Sequence, residues 1–239
     1  MMHFKYHRRK IEPMSSEAPP CLLPGTKNAD IRTKTVSGPE EIDGSFPIQE
    51  YIYNMIENTP LNVEAFIKIP SDLNEKQYLH VWQYENIRAM TDQLSLLISV
   101  VQDQCTPHSC PEMRVGQEWV FLCAAHKTPQ QCSAIDYMAH TVDATSTVLN
   151  SINYFPSRVT IHSKGHKLFA SMARRLARVF AHVYHHHREV FEDFEDQTGL
   201  CERFLRFMFE HKLLQNEPNS TMLPADFLET RVARRAELM

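Results

Sequence analysis

Two cysteines and a run of histidines carry the clearest chemistry in this sequence. Cys105 and Cys110 stand as C-x4-C in the run QCTPHSCP, and much later the chain reads His182-Val-Tyr-His185-His186-His187. Thiolates and imidazoles are the ligands zinc favours, and Pro107 and Pro111 place the thiols on a turn that can aim both at one ion. The C-x4-C gap sits at the edge of the usual ligand spacing. Two cysteines and two histidines would close a tetrahedron with no open position, which makes such an ion structural rather than catalytic. His108, His126, Cys123 and Cys132 are rival ligands.

The choice among the histidines is a problem of helix geometry. On a straight helix His182 and His186 share a face, whereas His182 and His187 are ~140° apart. Periodicity therefore prefers His182 with His186. His187 nevertheless falls on the inward stripe, seven after Phe180 and four after Val183. It can join His182 only where the helix breaks or bends.

Just before this run lie Arg174, Arg175 and Arg178. Their i, i+3 and i, i+4 spacings let all three converge on one helix face. Guanidinium forks grip phosphate bidentately, so the cluster fits a phosphopeptide pocket. A basic turn on an amphipathic helix is ordinarily just its solvated face, and Glu189, Glu192 and Asp193 stand nearby to neutralise it.

The elements that must position these groups read as helices. Phe46 to Glu57 carries Ile48, Tyr51, Ile52, Met55 and Ile56 on one stripe. Gln77 to Gln104 is a long helix reaching the first cysteine, with Trp82, Ile87, Met90, Leu94 and Val101. Ala134 to Leu149, Lys164 to Asp196 and Cys201 to Leu214 follow the same rule. Only Glu118 to Cys123 is short, apolar and β-rich, half of a small hairpin. The expected fold is mainly α, a single-domain helical bundle. Residues 1 to 45 read as a flexible arm, 46 to 215 as the domain and 216 to 239 as a polar tail.

Composition narrows the function classes. The 239 residues are 43% apolar and 23% charged, with a formal charge of -4. Nucleic-acid binders usually carry a basic excess, so nothing points to nucleic acid. No stretch approaches the ~18 apolar residues of a membrane span, and the basic start lacks an apolar secretory core. The six cysteines suit a reduced, cytosolic chain using thiols as core or ligands. The six glycines form neither G-x-G-x-x-G nor a phosphate-binding loop, and the H-E-x-x-H, G-x-S-x-G and kinase motifs are missing.

Taken together, QCTPHSCP, EWVFLCAAHKTPQQCSAIDYMAHTVD, NYFPSRV and RRLARVFAHVYHHHREVF resemble the Mob (Mps-one-binder) family, and Trp119 to Asp143 is most similar to its phocein-like branch. The likeness runs from about Phe46 to Leu214, with an echo at Pro24-Gly25-Thr26-Lys27. The resemblance implies a mainly helical Mob/phocein-like bundle with a structural zinc (Zn2+) on Cys105, Cys110, His182 and His187, and hence a helix break around residues 183–186. It also implies that Arg174, Arg175 and Arg178 bind phosphothreonine segments of Ste20-like (germinal-centre) kinases, with Arg174 where better-known members carry lysine.

The resemblance further implies a non-catalytic adaptor beside a striatin-type scaffold and a protein phosphatase in a phosphatase–kinase assembly. Its expected place is cytoplasmic, or peripheral at Golgi, endomembranes or spindle pole. The alternatives are an activating subunit for nuclear-Dbf2-related kinases and a zinc-dependent hydrolase. A closed four-ligand site without a placed general base disfavours the hydrolase.

Overall fold

The computed structural model describes residues 38–42, 44–71, 73–215 and 218–238. Residues 1–37 of the expected arm, including Pro24 to Lys27, lie outside the described residues. Helices α1 (Pro47–Asn58), α2 (Val63–Ile67) and α3 (Glu75–Val101) precede a two-stranded hairpin, β1 (Arg114–Val115) and β2 (Trp119–Val120). Helices α4 (Ala134–Leu149), α5 (Ser163–His166), α6 (Phe169–His186), α7 (Arg188–Thr198) and α8 (Leu200–Glu210) follow. Two more, α9 (Pro218–Thr221) and α10 (Phe227–Leu238), end the described chain.

Helix α3 is the axis of the bundle. It packs against α1, α4, α6, α7 and α8. Because neighbours surround it, its apolar stripe widens into a sheath: Trp82, Tyr84, Ile87, Met90, Leu94 and Leu97 are all buried. On α1 the expected stripe of Ile48, Ile52 and Met55 faces inward. Pro47 opens that helix, where its missing N–H costs nothing.

One buried ion pair fastens the loop after α4 to this axis. Glu85 accepts three bonds from the Arg158 guanidinium, at 2.6 and 2.8 Å from Nη2 and 3.1 Å from Nε, and Arg158 also donates to Gln49 of α1 at 2.8 Å. The arginine lies over the Phe46 ring at 4.4 Å. Burial pushes the Glu85 carboxyl up, and Arg158 opposes that shift.

Local chemistry sets the helix ends that bracket the site. Ser133 caps α4: its hydroxyl accepts from the Asp136 N–H and donates to the Asp136 carboxylate at 2.6 Å. The hairpin turns at Gly116, whose φ of +58° is the left-handed region that favours glycine. Arg114 pairs with Val120 and Val115 with Trp119, so the expected strand is real but only two residues long. Gly199, with φ +56°, ends α7 and starts α8. There the buried Glu195 carboxylate accepts from the N–H groups of Cys201 and Glu202 at 2.7 and 2.8 Å.

Within the stretch read as a polar tail, the described residues of α10 are packed. Phe227 of α10 is buried edge-on against Tyr184 and Phe191. Arg231 is 5% exposed and pairs with Glu192 and Asp196 of α7. No helix among the described residues is long and apolar enough to cross a membrane.

Candidate functional site: a metal centre and an arginine groove

The end of α3 and the junction of α6 with α7 meet at one point. Cys105, Cys110, His182 and His187 bring one ligand atom each to within 4.8 Å of one another. Cys105 Sγ lies 3.4 Å from His182 Nε2, and Cys110 Sγ lies 3.4 Å from His187 Nε2. Zinc–ligand bonds of about 2.0–2.3 Å arranged as a tetrahedron put neighbouring ligand atoms roughly 3.3–3.8 Å apart, so the four groups fit such an ion. The thiols are free rather than bonded to each other.

Each ligand is aimed by its own element. The loop carrying the cysteines is held by Ser109, whose hydroxyl donates to the Gln104 carbonyl at 2.6 Å and accepts from the Thr106 N–H at 2.9 Å. His182 lies on the buried face of α6. Its Nδ1 donates to the Arg114 carbonyl of β1 at 2.6 Å, which leaves Nε2 as a lone pair facing Cys105. The hairpin thus fixes the tautomer of a ligand.

The helix break falls at His187 itself, one residue after the stretch expected to bend. His187 has φ -138° and ψ 52°, between α6 and α7. This departure swings its ring inward, and His187 is buried whereas His185 and His186 are exposed. His185 instead donates to the Met222 carbonyl at 2.8 Å. The straight-helix pairing of His182 with His186 is therefore not the one the fold makes.

Burial shapes the electrostatics of this centre. It lowers His182 to about 4, keeping the imidazole neutral and able to donate its lone pair. Burial and the neighbouring Cys110 push Cys105 up to about 12, so the thiol releases its proton to solvent only when a cation beside it stabilises the thiolate. Residues and geometry together can hold a divalent ion in a closed, four-ligand shell.

The arginines divide. Arg175 and Arg178 line one groove together with Tyr137, His140, Thr141 and Ala144 of α4 and Leu122 to Ala125 of the loop after β2. Arg178 donates to the Tyr137 hydroxyl at 2.7 Å and stacks over Phe121 at 4.2 Å. Arg174 is exposed and stands outside the groove lining. Among the described residues none of the three is paired with a carboxylate. Of the acids expected to neutralise them, Glu192 is turned elsewhere and pairs with Arg188, Arg231 and Arg234.

Of the rival ligands, His108 is exposed and far from forming a set. Cys123, His126 and Cys132 gather at a different place, together with His140 of α4. His140 was legible in sequence only as a helix neighbour of Asp136 and Tyr137. Trp82 and Tyr84 are core residues, and Trp119 is 44% exposed on the hairpin.

Comparison with known proteins agrees with this architecture. The pattern of the Mob1/phocein family matches residues 55–222. MOB-like protein phocein of Caenorhabditis elegans is 41% identical over 194 residues, covering 81% of this chain and 85% of that protein. MOB kinase activator-like 4 of Drosophila melanogaster is 41% identical over the same shares. Maintenance of ploidy protein mob1 of Schizosaccharomyces pombe is 27% identical, over 83% of this chain and 95% of its own length. A family pattern covering most of the chain, with relatives at this identity, means that the chain belongs to the Mob1/phocein family.

Proposed function

We propose that this chain is a non-catalytic adaptor that grips a phosphothreonine segment of a Ste20-like kinase and joins it to a striatin-type scaffold and its protein phosphatase. The observation that carries the proposal is the groove between α4 and α6. Arg175 and Arg178 reach it with no carboxylate paired to them among the described residues, and Tyr137 and Phe121 fix the direction of the Arg178 guanidinium. A preorganised, uncompensated pair of guanidinium forks suits a dianionic phosphate. Arg174, beside them but outside the groove, adds long-range attraction.

In this reading Cys105, Cys110, His182 and His187 hold a structural zinc. The ion ties the end of α3 to the α6–α7 junction and so fixes the helix that bears the arginines. A closed ligand set has no place for a reactive water, which argues against a hydrolase. The name of the Drosophila relative, MOB kinase activator-like 4, supports a kinase partner. The 41% identity to the phocein-named relative, against 27% for the yeast mob1 protein, supports the striatin branch over activation of nuclear-Dbf2-related kinases. A cytoplasmic site of action, peripheral to Golgi, endomembranes or spindle pole, belongs to the same proposal.

Fluorescence anisotropy with a phosphothreonine peptide from a Ste20-like kinase tests the groove. The phosphorylated peptide should bind, its unphosphorylated form should not, and the R175A/R178A variant should lose at least tenfold in affinity. Equal binding by that variant overturns the groove. Affinity capture from cells tests the branch: striatin should be recovered, and a nuclear-Dbf2-related kinase without striatin reverses the assignment.

A further inference from the structure

We infer that the chain carries a second structural metal site, built from Cys123, His126, Cys132 and His140, that pins the loop after β2 to helix α4. The four ligand atoms lie within 4.8 Å of one another. His126 Nε2 is 3.0 Å from Cys132 Sγ, and His140 Nδ1 is 3.5 Å from Cys123 Sγ and 4.0 Å from Cys132 Sγ. These separations bracket the edges of about 3.3–3.8 Å expected around tetrahedral zinc. They fall on either side of the 3.4 Å spacings of the first group. The His126 and His140 rings meet edge-on at 5.0 Å, an arrangement that lets both present lone pairs to one centre. The donors are again two thiols and two imidazoles, and both thiols are free.

The loop needs such a fastener. Between Cys123 and Cys132 the backbone forms no helix and only the isolated bridge of Cys123 with Gln130, through bonds of 2.8 and 3.2 Å. Ala124, Ala125, Lys127, Thr128, Pro129, Gln130 and Gln131 are all exposed. Ordering each residue costs about 1–2 kcal/mol of backbone entropy, and this loop buries almost no apolar side chain to offset it. A metal bond network linking Cys123, His126 and Cys132 to His140 on a rigid helix supplies the missing constraint. The spacing C-x2-H-x5-C-x7-H leaves no open position, so the ion is structural. Two thiolates cancel the charge of a divalent ion, so the site contributes shape rather than charge.

The placement has a consequence for recognition. Cys123 and His140 also line the groove that holds Arg175 and Arg178, together with Leu122, Ala124 and Ala125. The second metal therefore sets the wall facing the arginines, and the two metal sites fix opposite sides of one groove. This consequence rests on the phosphothreonine reading; the metal site does not.

Native mass spectrometry and elemental analysis of the full chain purified from cells provide the test, with zinc as the probe. Two zinc ions per chain are expected. The His126→Ala and Cys132→Ser variants should each hold one and keep their helical circular dichroism, because the first group is untouched. Alkylation gives an independent readout on the unaltered protein: Cys123 and Cys132 should resist modification until a chelator is added. One zinc or none per chain, or a Cys123–Cys132 disulfide in the freshly purified protein, overturns the site. On the Cys132→Ser variant, phosphothreonine-peptide affinity should fall about fivefold. Two zinc ions with no peptide binding to the wild-type chain would leave the second site standing and remove the groove.

Discussion

Two arginine triplets in this chain are near mirror images and meet opposite fates. Arg174, Arg175 and Arg178 sit on α6, and Arg231, Arg234 and Arg235 sit on α10 with the same helical spacings in reverse order. The α10 set is saturated: Arg231 and Arg234 share Glu192 and Asp196, and Arg235 reaches Glu202 at 2.7 Å. The α6 set has no carboxylate partner among the described residues, although Glu189, Glu192 and Asp193 follow within the next helix. What separates them is the break at His187. It turns α7 so that Glu192 faces α10 rather than α6. One triplet is therefore structural glue, and the other keeps its charge for something outside the chain.

The largest expected effect breaks the glue. Arg231 is 5% exposed, and removing it leaves Asp196 with the half-exposed Arg234 and Glu192 with Arg234 and the exposed Arg188. Breaking a buried pair from one side costs about 3–5 kcal/mol. With Arg234 as partial cover, Arg231→Ala should lose roughly 2–3 kcal/mol, a drop of about 5–10 °C in Tm for a chain of this size. Thermal and urea melts measure it, while phosphothreonine-peptide affinity should stay within twofold. A large affinity loss at unchanged stability would mean the α10 triplet is the binding one.

The same region should also carry a pH signature. Burial raises Glu195 from 4.5 to about 7, against the two N–H bonds that favour its anion. The folded state therefore holds this proton across pH 5–7 while the unfolded chain has released it. Stability contributed by the neutral carboxyl is fully present below pH 4.5 and declines as pH rises to about 7. The full decline is about 3 kcal/mol at 1.36 kcal/mol per pH unit. Several buried histidines act in the opposite sense, so the difference between wild type and Glu195→Gln is the useful quantity. Relative to wild type, the variant should gain stability steadily from pH 5 to 7 in urea unfolding. A flat difference would mean that Glu195 stays ionised.

These two effects also mark where sequence reading stops. Helix α4 was legible at both ends, because its apolar period through Ile135, Met138, Val142 and Leu149 fills Ala134 to Leu149. The break at His187 was not, since no proline or glycine interrupts the run and the stripe continues through Val190, Phe191 and Phe194. Only the family resemblance implied it. Helix α2, five residues long, is too short to show a period. The docking of α10 depends on carboxylates on another helix, a pairing that no local pattern contains. The second ligand set was half visible: Cys123, His126 and Cys132 stood out as rivals for one ion, but the fourth member, His140, lies on a helix whose pattern reads as packing.

The complementary experiment removes charge from α6. R175A/R178A should weaken the phosphothreonine peptide about 30-fold, roughly 2 kcal/mol at 1.4 kcal/mol per decade. Folding stability should change by under about 1 kcal/mol, because no buried carboxylate is orphaned and only the contacts to Tyr137 and Phe121 are lost. Loss of stability comparable to Arg231→Ala would erase the distinction between the triplets.

Arg174 supplies the finest discrimination. It is exposed, outside the groove and, among the described residues, without an acid partner, so it can act on a phosphopeptide only through solvent. At 0.1 M salt the screening length is about 10 Å, and at 1 M about 3 Å. Arg174→Ala should therefore weaken peptide binding about twofold in dilute buffer and not at all in 1 M salt, whereas R175A/R178A should remain impaired in both. The two behaviours separate attraction from contact within one helical turn. A salt-independent loss at Arg174 would place its guanidinium on the phosphate itself, and the groove would then be read by three arginines rather than two.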